Sequence, residues 1–199
     1  CITIQAGSVT VDMKGFGLQG IPGSGSGITV SGTRSFIIVR NGVVASWGQC
    51  GMEGSTAHNS KLVDVLFAGN SSDGVRLGTN STITGCTAAG NQGVGFNVRD
   101  NCIIADSVAR GNDSVGFLGL DGCVIQKCVA DRNQSNGFDL QSVGQISHCT
   151  ASENTGRGFQ VQNCCSVLDS CSYGNQTGFW GWDGIVFSRS VAYRNTYGF

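Results

Sequence analysis

The sequence predicts an all-β protein, a single-stranded right-handed parallel β-helix with three short strands per coil, about 21 residues per coil and roughly eight coils. Three observations carry this reading. Asn70, Asn91, Asn112, Asn133, Asn154 and Asn175 recur every 21 residues, and Asn195 follows after 20. Gly-Phe recurs in phase at 95–96, 116–117, 137–138, 158–159, 178–179 and 198–199, with Gly74-Val75 in the same register. The 32 Gly spread along the whole chain would each cost about 1 kcal/mol at a helical position, which excludes a helical bundle. A fixed period with no helix-length segment between strands means that each coil stacks on the one before, and parallel crossovers are right-handed.

The elements follow in chain order. Residues 1–27 read as an N-terminal opening layer or cap that starts on strand Ile2-Thr3-Ile4 and ends in the Gly-Ser-rich bulge from Gly20 to Gly27. Residues 28–199 read as the β-helix, first with looser spacings of about 22 and 25 and a loop insertion, then with the regular period. The opening directly on a strand and the ending on Gly198-Phe199 suggest a piece of a longer chain, truncated at the C-terminus. Within one period, Phe96 and Val98 alternate with Asn97 and Arg99, so the first pair faces inward. An Asp100-Asn101 turn leads to inward Cys102 and Ile104, a bend to inward Ser107 and Ala109, and Gly111-Asn112 closes the coil. Stacked periods give a Phe column (Phe96 to Phe179), an aliphatic column (Ile83 to Val167, then Phe187) and a small column (Ala88 to Ala192). At about 4.8 Å per coil, eight coils make a rod roughly 38 Å long.

Composition narrows the function classes. Hydrophobic residues at 40% supply a core, while charged residues reach only 13%. A net charge of −1 without a basic block gives no support for nucleic-acid binding. No apolar run exceeds four residues, as in Phe36-Ile37-Ile38-Val39, far too short for membrane insertion. The recurring Asn reads as an internal ladder, Asn70, Asn91, Asn112, Asn133, Asn154, Asn175 and Asn195, whose amides satisfy the backbone at a coil corner. Asn70, Asn80, Asn112, Asn133 and Asn175 open formal glycosylation sequons, but four are ladder members and Asn80 is a turn residue. The 10 Cys fall in phase with Ser, as in Cys86, Ser107, Cys128, Cys149 and Ser170, which selects small side chains and buried free thiols. Gly15-Phe16-Gly17-Leu18-Gln19-Gly20 satisfies a dinucleotide fingerprint in letters only, because Pro22 and a Gly-Ser bulge follow where a helix is needed.

The Asn…Gly-Phe repeat, with Val9-Thr10-Val11-Asp12-Met13-Lys14-Gly15-Phe16-Gly17-Leu18 and then Gly27-Ile28-Thr29-Val30-Ser31-Gly32, resembles right-handed parallel β-helix repeat proteins of the pectin-lyase-like superfamily. The resemblance covers nearly the whole chain and implies the fold. That superfamily includes polysaccharide lyases, hydrolases, epimerases, phage tailspikes, adhesins and uncharacterised surface proteins, so it implies no single activity. Its hydrolases carry clustered Asp pairs with a Gly-His-Gly segment, its epimerases an Asp-Pro-His segment, and its pectate lyases Asp-rich calcium sites with an Arg base. Neither His58 nor His148 has such neighbours, Pro22 is the one Pro, and adjacent acidic pairs are absent. His148 belongs to an outward column with Gly85, Asp106, Lys127, Asp169 and Arg189 that reads as a solvated charge ladder. No catalytic residue, metal ligand or cofactor is assigned, and the chain reads as a non-enzyme more readily than as an enzyme.

The outward residues after each Phe carry more information. They read Arg76/Gly78, Asn97/Arg99, Leu118/Leu120, Asp139/Gln141, Gln160/Gln162 and Trp180/Trp182. Indoles stack on the apolar faces of sugars, and amides, carboxylates and guanidinium groups bind hydroxyls. Trp180, Trp182, Gln160, Gln162, Asp139, Gln141 and Arg99 are therefore the candidate sugar face, unless the two Trp cover an end or touch another subunit. The leading expectation is a structural or carbohydrate-contacting, non-catalytic β-solenoid module of a secreted or cell-surface protein. The alternatives are a polysaccharide lyase or epimerase of the pectin-lyase-like type and a self-assembling fibre or tailspike-like protein. The expected partners are a polysaccharide or further copies of the chain.

Overall fold

The computed structural model describes all 199 residues, and the chain is a right-handed parallel β-solenoid with no helix. One strand of every coil enters a nine-stranded first sheet, running from Ile2–Ile4 through Ile28–Val30, Met52–Gly54, Val75–Leu77, Phe96–Val98, Phe117–Gly119, Phe138–Leu140 and Arg157–Val161 to Thr177–Gly181. The remaining strands share a 16-stranded sheet, apart from Arg34–Ser35 and Ala57–His58, which pair with each other. Two long strands, Ile38–Ala45 and Lys61–Ala68, run through the corner at which other coils break, and this joins the second and third faces. Ile2–Ile4 pairs with Ile28–Val30, and Thr10–Asp12 and Gly17–Gln19 both pair with Ile38–Ala45. Gly17–Gln19 is thus a strand and no helix follows it, so the glycine-rich motif there has no anion-binding end.

Register is set by the repeat itself. Phe96, Phe117, Phe138, Phe159 and Phe179 are mutual strand partners, buried, with rings stacked 4.9–5.2 Å apart. Ile83, Ile104, Ile125, Ile146 and Val167 fill the second corner of the interior, and Ala88, Ala109, Ala130 and Ala151 the third. A slip of one residue would turn every one of these columns to solvent.

Each of the three coil corners carries a side-chain ladder. At the first, Asn91 Nδ2 donates to Asn112 Oδ1 at 2.9 Å and to Phe67 O at 3.1 Å, while Asn91 N donates to the same Asn112 Oδ1 at 3.1 Å. The pattern runs from Asn70 to Asn195, and the first six Asn are buried with both amide ends used. The Gly before each Phe belongs to this device. A Cβ on Gly116 would lie 2.7 Å from Gly137 O and 2.9 Å from Asn133 Nδ2, so only glycine lets the amide row pass.

The other two corners use Ser and Cys in the same way. Ser60 N donates to Ser81 Oγ at 3.1 Å and Ser81 N to Cys102 Sγ at 3.4 Å. On the far corner Cys86 N donates to Ser107 Oγ, Cys128 N to Cys149 Sγ and Cys149 N to Ser170 Oγ, at 3.2–3.4 Å. All ten Cys are free thiols, and Cys102, Cys149 and Cys165 do more than fill space: they accept the N–H of the neighbouring coil. No buried side-chain nitrogen or oxygen lacks a partner.

Two stability predictions result. Asn133→Ala strands buried donors and acceptors on two coils and should cost about 1–3 kcal/mol in urea denaturation; a loss below about 0.5 kcal/mol would remove the ladder from the account of stability. Reductant should leave Tm unchanged, Cys149→Ser should be close to neutral, and Cys149→Ala should cost about 1–3 kcal/mol by orphaning the Cys128 N–H. Equal effects of the Ser and Ala variants would show that the thiol only fills volume.

Candidate functional site

The first sheet presents one outward residue per strand, because its neighbours on either side, Phe, Val, Leu or Gly, face the core. Arg76, Asn97, Leu118, Asp139, Gln160 and Trp180 are successive strand partners and form one row. A second row, two residues on in each coil, runs through Arg99, Leu120, Gln141, Gln162 and Trp182. The seven predicted residues all lie on this face, but they fall into two groups with Leu118 and Leu120 between them.

Arg99 stands at one end, in the protein's one cavity, which has a volume of about 310 Å³ and is lined by Ser55, Arg76, Leu77, Asn97, Arg99 and Leu120. Arg76 Nε donates to Asp73 Oδ2 at 2.7 Å and its Nη1 to Glu53 Oε2 at 3.3 Å. Asp73 is only 5% exposed, and it also accepts from Val94 N at 2.9 Å and Asn97 Nδ2 at 3.1 Å. The Asp73 hydrogen bond raises the Arg76 pKa, so the guanidinium stays charged and fixed in orientation.

Asp139, Gln160, Trp180 and Trp182 form the other end. Asp139 Oδ2 accepts from Gln160 Nε2 at 2.8 Å and from Asn136 Nδ2 at 3.1 Å. Arg157 Nη1 donates to Gln160 Oε1, and its guanidinium lies 3.9 Å over the Trp180 ring. Burial pushes the Asp139 pKa up, against the opposing pull of Asn136, Gln160 and Arg157. Arg157 therefore covers Trp180. Trp182, 64% exposed and 5.3 Å from Trp180, is the open ring, and Gln141 and Gln162 continue its row with no hydrogen bond from either side chain.

Sequence reasoning missed Asn136, Arg157, Asp73 and Glu53. The signal was present: the residue before each corner Gly reads Asp73, Val94, Val115, Asn136, Arg157 and Thr177, polar mainly in the coils whose outward strand residue is polar. Neither His joins this face. His148 Nε2 lies 3.9 Å from Asp169, which Arg189 holds at 2.6 and 2.8 Å. His58 Nδ1 accepts from Thr79 N at 3.1 Å. No three His, Cys, Asp or Glu side chains converge as metal ligands, and no helix is long and apolar enough to cross a membrane.

Comparison with known proteins bears on the fold. A family model described as a right handed beta helix region matches residues 2–137. No curated protein matches the chain. Among solved structures, the A-module of Azotobacter vinelandii mannuronan C-5 epimerase AlgE4 superposes with a TM-score of 0.77 at 15% identity, over 98% of this chain and 60% of that one. Pectate lyase Pel9A superposes with a TM-score of 0.68 at 18% identity, over 98% of this chain and 67% of that one. The A-module of Azotobacter vinelandii mannuronan C-5 epimerase AlgE6 gives 0.58 at 15% identity, over 86% and 71%. At these identities the likeness is one of fold, and the chain spans 60% of the AlgE4 module.

The buried carboxylate gives a pH prediction. The Asp139 pKa is raised in the folded protein, so ionising it costs stability as pH climbs from the unfolded value of about 3.9 through the folded one. Asp139→Asn keeps an acceptor for Asn136 and Gln160 and removes the charge. It should be the more stable protein at pH 7, with the gap from wild type closing below about pH 4 in urea titrations. A variant less stable than wild type at pH 7 would mean that attraction to Arg157 outweighs the burial cost.

Proposed function

The chain belongs to the right-handed β-helix family, and from that premise we propose that it is a carbohydrate-contacting β-solenoid module, structural rather than catalytic, of a secreted or surface protein. The observation that carries the reading is the Trp182 ring, open to solvent beside Trp180, with the unengaged amides of Gln162 and Gln141 in its row. A pyranose offers an apolar face to an indole and equatorial hydroxyls to amides. The coil spacing of about 4.8 Å is close to the rise of one sugar unit in an extended chain, so a saccharide laid along the rod meets one row residue per unit. Asp139, Gln160, Asn136 and Arg157 already satisfy one another, so they hold the platform in place and their outer atoms accept further hydroxyls. The first sheet is rigid because its inward side chains are buried, and a rigid face loses little entropy on binding. Two neighbours of the same fold, named as acting on mannuronan and pectate, support a polysaccharide partner. Such a partner places the module outside the cell or on its surface.

Trp182→Ala is expected to abolish retention of the chain on glycan arrays and in affinity electrophoresis while leaving the fold intact. Trp180→Ala, whose ring Arg157 covers, should weaken it less. Analytical ultracentrifugation of the same variants separates the self-assembly alternative: loss of self-association with glycan binding retained would make this face a subunit contact. Appearance of an unsaturated uronate, or inversion at C-5, in the same incubations would instead mark a lyase or an epimerase.

A further inference from the structure

The cavity at the opposite end of the face has a charge pattern that the aromatic end lacks. Both carboxylates beside it, Asp73 and Glu53, are taken up by Arg76. Arg99 lines the same cavity, is exposed, and meets no carboxylate within ion-pair distance. Leu120 supplies a partly exposed apolar side chain, Asn97 and Ser55 supply polar groups, and Leu77 behind them is buried in the core. Asn97 spends an amide hydrogen on Asp73, which leaves its carbonyl oxygen to accept from a hydroxyl. The result is a small concave site with one uncompensated planar cation, a second guanidinium held in a fixed pose and one partly exposed apolar side chain, Leu120. At about 310 Å³ it sits at the low end of small-ligand pockets, room for a single ring rather than an oligomer.

We propose that this cavity is an oxyanion subsite, which takes a sugar unit carrying a carboxylate or sulfate group and makes the module selective for acidic over neutral glycans. The inference rests on the carbohydrate-contacting reading of the same face. The oxyanion meets the Arg99 fork in bidentate fashion, a geometry that Lys does not reproduce. The ring lies against Leu120, and Asn97 and Ser55 receive its hydroxyls. Trp182 lies four coils further on, about 19 Å along the rod, so a chain of several units spans both ends, with charge read at one and stacking at the other.

Affinity electrophoresis against polygalacturonate, its fully methyl-esterified form, dextran sulfate and dextran tests this with the whole chain. The wild type should bind polygalacturonate about tenfold tighter than the ester, and Arg99→Ala should remove that difference while leaving ester binding unchanged. Arg99→Lys should restore only part of it. Arg110→Ala, which deletes an exposed cation on another face, should change nothing. An Arg99-dependent gain for dextran sulfate over dextran admits sulfate to the site, and its absence confines the site to carboxylates. Equal binding of the acid and its ester, no effect of Arg99→Ala, or an equal loss in Arg110→Ala overturns the oxyanion subsite but spares the carbohydrate reading. Failure to bind any of the four polymers, or any glycan on the arrays, overturns both.

Discussion

The asparagine ladder is the constraint on which the rest of the structure depends. A coil corner exposes backbone groups that cannot reach the regular inter-strand ladder, and burying them unpaired costs about 1–3 kcal/mol each. Each Asn answers this with a single side chain, which accepts from the neighbouring coil's N–H and amide and donates to a neighbouring carbonyl. The geometry works only if the residue before each Phe, which packs against the Asn of the adjacent coil, has no Cβ and the column beside it is small. Asn, Gly-Phe and Ala thus recur together as one physical unit. Their shared period sets the strand register, and the register stacks the Phe rings.

The Ser and Cys columns extend the same solution to the remaining corners. A hydroxyl and a thiol differ in strength as acceptors, yet both fit the space and both take the N–H of the neighbouring coil. That interchange accounts for the buried free cysteines of these two columns. With three corners and three inward columns committed to packing, the freedom left to the sequence lies in the outward residue of each strand and in the residue that precedes each corner glycine.

The first-sheet face shows what that freedom does. Corner and strand residues of one coil meet above the sheet, so Asp73 orients Arg76 and Asn136 supports Asp139. Where both positions are apolar, as at Val115 and Leu118, the face divides into a charged end and an amide and aromatic end. Arg157 decides which of two adjacent indoles is available, because its guanidinium stacks on Trp180 and leaves Trp182 open. Arg99 is exposed within a cavity for a related reason: the carboxylates that could have neutralised it are held by Arg76.

The amino-acid sequence by itself determined the solenoid, its period, the inward columns, the asparagine ladder and the face on which outward polar and aromatic residues gather. All of these are periodic, and a period of 21 along the chain is a direct image of adjacency across coils. The tertiary structure alone decided how groups at different phases of the period meet. Arg157 lies over Trp180, and Glu53 reaches Arg76 from the preceding coil. The thiols prove to be hydrogen-bond acceptors as well as small fillers. The path of the chain around a corner and the direction of each side chain set those contacts, and neither leaves a repeat in the one-dimensional string from which it can be read.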